Sequence, residues 1–244
     1  MARAAAASGS PTFDRGHKSI AVPASGTALL LIDVINDLAF EGSGALVGQA
    51  EPMALRLAAL KRRTSAAGIP AIYVNDNFGQ WRSDFRRTVA HCTSRSSPGR
   101  LVSKRLKPTS RDYFVLKPKH SGFFGTTLDT LLEMLRIRRV ILTGIAGNIC
   151  VLFTANDAYM RDLELFAPSD CIVSNTAADN QHALRQIATV LKGDMTSQEP
   201  QTGEPRCPRH CMPQRRTGQR LPRSRRSPSS PGMLPPMSWS SARG

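Results

Sequence analysis

The stretch ILTGIAGNICVLFTANDAYMRD, residues 141–162, decides how the rest of the chain is read. An apolar run from Val140 to Leu142 ends in a glycine-bearing turn, Gly144 to Gly147, and Asn148 stands at the position of a helix cap. Beyond it Cys150, Val151, Phe153, Thr154, Ala158 and Met160 roughly follow a helical period. The pattern predicts strand, tight turn and helix, with Cys150 in the first helical turn. A thiol there faces unpaired backbone N–H groups and the positive end of the helix dipole, both of which favour the thiolate. A buried structural cysteine is the plainer reading of the same residue.

Outward from that turn, strands and helices alternate. Thr27 to Asp33, TALLLID, is an almost wholly apolar run ending in an acid, as expected of a strand covered on both faces. Met53, Leu57 and Leu60 predict a helix over Pro52 to Ala67, closed by Gly68 and followed by a strand at Ile69 to Val74. Trp81, Phe85 and Val89 are spaced by four and suggest a helical stripe. A third strand is expected at Tyr113 to Leu116, and a helix over Phe123 to Leu135 with Leu128, Leu131, Leu132 and Leu135 inward. Val140 to Thr143 is the fourth strand, Leu163 to Ala167 the fifth, and Cys171 to Val173 a short sixth. The closing helix, 178–192, turns Ala183, Ile187 and either Val190 or Leu191 inward. This alternation predicts one α/β domain over residues 26–197: a doubly wound, mostly parallel sheet with helices on both faces.

Composition divides the chain. It has 244 residues and a formal charge of +15, but residues 198–244 hold nine arginines against two glutamates, and nine of the 17 prolines. That Arg/Pro/Ser-rich tail is expected to be disordered, and is read as non-native in origin, as from a shifted reading frame. Residues 1–25 read as a flexible arm without a signal-peptide core. Five cysteines without a regular framework suit a reducing cytoplasm, and no run approaches the roughly 18 apolar residues of a membrane span. The arginines at 215, 216, 220, 223, 225 and 226 support an alternative function, nucleic-acid or acidic-partner binding with a catalytically silent fold. No aromatic interleaves them before Trp239, which weighs against nucleic acid. Cys207, His210 and Cys211 supply three metal-ligand types without a fourth.

In open α/β sheets, ligands bind beyond the carboxyl ends of the strands. Asp33 closes the first strand, Lys117 the third, and Cys150 follows the fourth. A thiolate attacks an acyl carbon, a carboxylate takes and returns the proton, and a cation steadies the charges. The backbone N–H groups of Ala146 and Cys150 are candidate oxyanion donors. Each residue also has a plainer reading: Asp33 as a solvated strand end, Lys117 as a surface charge, Cys150 as core.

The runs LLLIDVINDL, VLKPKHSGFFGTTLDTLL and LTGIAGNICVLFTANDAY resemble the three signature blocks of the isochorismatase-like cysteine hydrolases, in order, spacing and flanking residues. That family includes nicotinamidases, N-carbamoylsarcosine amidohydrolases and ureidoacrylate amidohydrolases. The resemblance implies a catalytic triad of Asp33, Lys117 and Cys150, and a non-proline cis peptide at Ile145–Ala146. It also implies a thioester mechanism cleaving a C–N bond of a small amide or ureido compound, and a homo-oligomer, most simply a dimer. Isochorismatases proper lack the cysteine, so its presence points to acyl chemistry. Phe78, Trp81, Phe123 and Phe124 are candidate pocket residues, and Arg82 or Arg86 a partner for a substrate carboxylate. Two departures stand out. The metal-site histidine of nicotinamidases falls on Phe78, after Asp76 and Asn77; His91 and His120 remain, but an Asp and two scattered histidines make a poor site, so no metal and no cofactor are expected. Gly147 and Asn148 replace the Thr-Asp common in the family, with Asn148 still expected to cap the helix.

Overall fold

The computed structural model describes residues 23–40, 43–79 and 84–197. The expectations for the arm before residue 23, for Trp81 and Arg82, and for the tail from residue 198 lie outside those residues.

The sheet is built outward from β1 (Thr27–Ile32), every residue of which is buried. Ala28, Leu30 and Ile32 enter one core, while Leu29 and Leu31 enter the other. Two covered faces explain why this strand has no polar alternation in sequence. β2 (Ala71–Asp76) and β4 (Arg139–Gly144) flank it, and β3 (Tyr113–Lys117) and β5 (Glu164–Phe166) lie outside them, giving the order β3-β2-β1-β4-β5 with parallel pairing throughout. Winding therefore reverses between β1 and β4, the switch point beside which such sheets hold ligands.

One face is covered by α1 (Ser43–Ala66), α2 (Phe85–Cys92) and α3 (Arg100–Arg105), the other by α4 (Leu128–Met134), α5 (Leu152–Tyr159) and α6 (Ala177–Thr189). This is the doubly wound α/β architecture expected from the alternation. Among the described residues no helix is long and apolar enough to cross a membrane.

Three boundaries differ from the sequence reading. α1 begins at Ser43, nine residues ahead of Pro52, which lies inside the helix. Proline is favoured in a first helical turn and so suggests a start; inside a helix it costs about 3 kcal/mol. Here one seam of buried residues, Leu46, Ala50, Met53, Leu57 and Leu60, runs through the proline and outweighs it. α4 starts at Leu128 rather than Phe123, because residues 121–127 form a loop closed on itself. In it Phe123 N–H donates to Ser121 Oγ (3.1 Å), Thr126 Oγ1 to Gly122 O (2.5 Å), and Leu128 N–H to Thr126 Oγ1 (3.1 Å). The sixth strand reduces to a 3-10 turn, Ser169–Cys171, and a single bridge between Ile172 and Gly144. At the end of α6, Leu191 turns inward and Val190 is 57% exposed.

Candidate active site

Register aligns the strand ends. Ile32 pairs with both Val74 and Gly144, and Asp76 with Lys117, so Asp33, Asp76, Lys117 and the turn after β4 emerge along one edge. Asp33 leaves β1 with φ 49°, a left-handed conformation that costs a side-chain-bearing residue roughly 1–2 kcal/mol. It is held there by Asp33 N–H donating to Val74 O (3.0 Å) and by Asp76 N–H donating to Asp33 Oδ1 (2.7 Å).

Lys117 is fully buried, which removes its reading as a surface charge. Its Nζ lies 2.9 Å from Asp33 Oδ2 and 3.6 Å from Asp76 Oδ2, and donates to Cys150 Sγ at 3.3 Å and to Lys119 O at 3.2 Å. An ammonium out of water needs such a full shell of acceptors. The three residues named from the strand ends are thus brought together around one nitrogen.

Gly144 ends β4 at φ 111°, and a Cβ there would stand 2.0 Å from Ile32 O, so the close approach of β1 and β4 requires glycine. The Ile145–Ala146 peptide is cis, as the resemblance implies. The helix then opens with a π turn, Gly147–Val151, before α5. Ile149 and Val151 donate to Ala146 O at 3.0 and 3.2 Å, so this carbonyl takes the amides on either side of Cys150. Asn148 does not cap the helix. Ala146 occupies the cap position, and Asn148 Oδ1 is buried with no hydrogen-bond partner among the described residues. Its N–H is what is held, by Ser174 Oγ at 3.0 Å.

Electrostatics revise a further expectation. Burial first, then the Asp33 carboxylate, push the Cys150 thiol up to about 12, with Lys117 pulling the other way. Burial and the Asp33 charge thus oppose the thiolate that the helix terminus and Lys117 favour. Burial also raises the Asp33 carboxyl, against the pull of Lys117 and the thiol hydrogen bond. A carboxylate of raised basicity is what a proton acceptor for a thiol requires. Burial opposes the Lys117 charge, but Asp33, Cys150 and Asp76 together keep it above its ordinary value.

His120 Nδ1 stands 4.0 Å from Cys150 Sγ, its ring tilted against Phe153 with 5.5 Å between centroids. In sequence it registers only as a scattered metal-ligand type; its place three residues after Lys117 is the signal that could have found it. Asp76 likewise joins the site through the Lys117 shell. Phe123 is 5% exposed within the core, with Arg161 over its ring at 4.4 Å. Phe78 and Phe124 are 45% and 61% exposed, and Arg86 lies on the exposed side of α2.

The residues do not fit the metal site of nicotinamidases. Asp76 carries Phe78 two residues on, and its carboxylate is taken up by Lys117 and by Phe78 N–H (2.6 Å). His91 is paired with Asp37 at 3.0 Å, and among the described residues no three His, Cys, Asp or Glu converge to hold a metal ion.

The Isochorismatase domain model matches residues 27–199. The chain is 42% identical over 172 residues to an uncharacterized isochorismatase family protein, YaaI, of Bacillus subtilis, covering 70% of this chain and 94% of that one. It is 31% identical over 165 residues to the ureidoacrylate amidohydrolase RutB of Yersinia enterocolitica, covering 57% and 72% respectively. A crystal structure of a cysteine hydrolase from Pseudomonas syringae pv. phaseolicola superposes with a TM-score of 0.57 at 26% identity, covering 71% of this chain and 89% of that one. With the cysteine-hydrolase arrangement of Cys150, Lys117 and the two aspartates at its strand ends, the chain belongs to the isochorismatase family.

Proposed function

We propose that this chain is a cysteine hydrolase that cleaves a C–N bond of a small amide, ureido or carbamoyl compound through a thioester on Cys150. The observation that carries the reading is the buried Lys117 ammonium, 2.9 Å from the Asp33 carboxylate and 3.3 Å from the sulfur. A lysine kept fully buried between an acid and a thiol has no evident structural purpose that an apolar residue would not serve better.

In this mechanism Asp33 takes the thiol proton as Sγ attacks the acyl carbon. The negative charge formed on the acyl oxygen is received by the backbone N–H groups of Ala146 and Cys150. Collapse breaks the C–N bond, and the proton held on Asp33 passes to the departing nitrogen. Asp33 then deprotonates a water that attacks the thioester, and the sulfur leaves and recovers its proton. Lys117 stays charged throughout, balancing Asp33 before the proton moves and the sulfur after it. No step is routed through a metal or cofactor.

The name of the Yersinia relative supports ureido compounds as the first substrates to try. The test is an ammonia-release screen over small amides and ureido acids, run beside Cys150→Ser. Release by the parent chain and none by the variant is expected; equal release by both would sink the reading. We further propose that residues 26–197 are the complete catalytic unit, that it works in the cytoplasm, and that it assembles as a homodimer, to be read by sedimentation equilibrium. Nucleic-acid binding through the tail rests on residues outside those described, and no observation favours it.

A further inference from the structure

Two amides just before the nucleophile, those of Gly147 and Asn148, are held by groups far from them in sequence. Ser174 is fully buried, and its hydroxyl does two things: it accepts Asn148 N–H at 3.0 Å and donates to Asn180 Oδ1 at 3.0 Å. Asn180, in the first turns of α6, is itself fixed by donating from Nδ2 to Ile172 O at 3.1 Å. On the same side Gly147 N–H donates to Val173 O at 2.8 Å, and Val173 N–H to Gly144 O at 3.3 Å. Segment 172–174 thus runs along the nucleophile turn and pins two consecutive amides of it, those of residues 147 and 148. Contact is close enough that a Cβ on Gly147 would lie 2.5 Å from Asn180 Oδ1 and 2.8 Å from both Ser174 Oγ and Ile172 Cγ2.

Asn148 lies midway between Ala146 and Cys150, whose N–H groups are the oxyanion donors of the proposed mechanism. A π turn has looser internal pairing than an α turn, and here the Ala146 carbonyl is shared between residues 149 and 151. Without an outside anchor, the peptide planes at 147 and 148 are free to rock. Oxyanion stabilisation depends on donors already pointing at the position the charge will occupy, so rocking would cost rate without costing binding.

We propose that Ser174 and Asn180 are positioning residues that set the oxyanion donors through the Asn148 amide; the inference rests on the proposed function of Cys150. Neither side chain is bonded to the Cys150 sulfur or to the Lys117 ammonium, so their removal leaves thiol and proton acceptor in place.

The experiment compares two reactions of the same sulfur in the full chain. Acylation by 4-nitrophenyl acetate builds a charge on oxygen; alkylation by iodoacetamide, a displacement at saturated carbon, builds none there. Ser174→Ala should slow the 4-nitrophenol burst about tenfold, with KM little changed, because a misaimed donor is partly lost. Alkylation of Cys150 should stay within about twofold of the parent, since the thiol's neighbours are untouched. Ser174→Cys keeps the volume and offers a poorer acceptor, so it guards against a simple packing defect and should fall between parent and alanine. Asn180→Ala should shift acylation in the same direction by less. Equal slowing of both reactions, or of neither, overturns the positioning role. A parent chain that alkylates at Cys150 but never acylates there overturns the proposed function, and the positioning role with it.

Discussion

Two cysteines of this molecule have nearly the same electrostatics and very different surroundings. Cys92, at the end of α2, and Cys150, after β4, are both pushed up to about 12, in each case by burial first and a nearby carboxylate second, Asp37 for one and Asp33 for the other. What differs is that Cys150 is partly open and has Lys117 donating to its sulfur at 3.3 Å, whereas Cys92 is 1% exposed. A low resting thiol pKa is therefore not what sets the candidate nucleophile apart. Access does, together with a carboxylate–lysine pair able to take the proton and hold the charge when substrate arrives.

The largest expected difference between the two cysteines is in turnover. Cys150→Ala should remove it, by on the order of 10⁴-fold or more, while Cys92→Ala leaves it within a factor of two or so. Steady-state ammonia release on any substrate found in the screen checks this, and a dead Cys92 variant would erase the contrast.

The carboxylate partners should part next. Asp33→Asn removes the proton acceptor and should cut the chemical step by about 10²–10⁴-fold. The same change removes the second-largest cause of the raised thiol, so Cys150 becomes more thiolate at pH 8 and iodoacetamide labels it faster. Turnover lost with labelling gained is the signature; labelling that slows along with turnover would show that the carboxylate does not suppress the thiolate. Peptide mass spectrometry separates Cys150 from the other thiols.

Lys117→Met tests the residue that Cys92 lacks. It strands a buried carboxylate, so unfolding in denaturant should show a loss of about 3–5 kcal/mol, and labelling of Cys150 should slow because its one charge-stabilising neighbour is gone. A lysine serving only to fill space would leave the labelling rate where it was.

The smallest effect is the shared one. A thiol raised from 9.0 to about 12 on folding contributes stability that is complete below pH 9 and is lost as pH climbs toward 12. The melting temperature should therefore fall from pH 9 upward, and less steeply in Cys92→Ala. An unchanged alkaline slope would mean that Cys92 is not held neutral by its surroundings.

Much of this was legible in the chain because strand ends concentrate chemistry. TALLLID, ending in Asp33, and VILTG, leading to Cys150, carry both the fold and two members of the site in short apolar runs whose lengths match buried parallel strands. Lys117 read as a charge at a strand end; that it lies inside depends on acceptors supplied from residues 33, 76, 119 and 150, which no local window contains. The thiol's upward shift has a related origin, since the helix terminus that favours a thiolate is a local feature and the opposing burial is not. Asn148 looked like a cap because its type and position suit one, but the turn is π rather than α and its amide is claimed from across the fold. Pro52 misled in the other direction, a local start signal overruled by a seam of packed side chains.

The crowding at Gly147 has a consequence for how the chain can change. The Thr-Asp that the family resemblance implies at this point looks, position by position, like an obvious repair for Gly147-Asn148. A threonine here would drive its Cβ into Asn180, Ser174 and Ile172 at once, so the nominal consensus would be deleterious in this background. Glycine at 147 is thus coupled to its neighbours: a side chain there fits only if Asn180, Ser174 and Ile172 give way. Reconstruction or shuffling of this sequence with its relatives must therefore carry segment 144–150 and segment 172–180 together, as one heritable block, although more than twenty residues separate them.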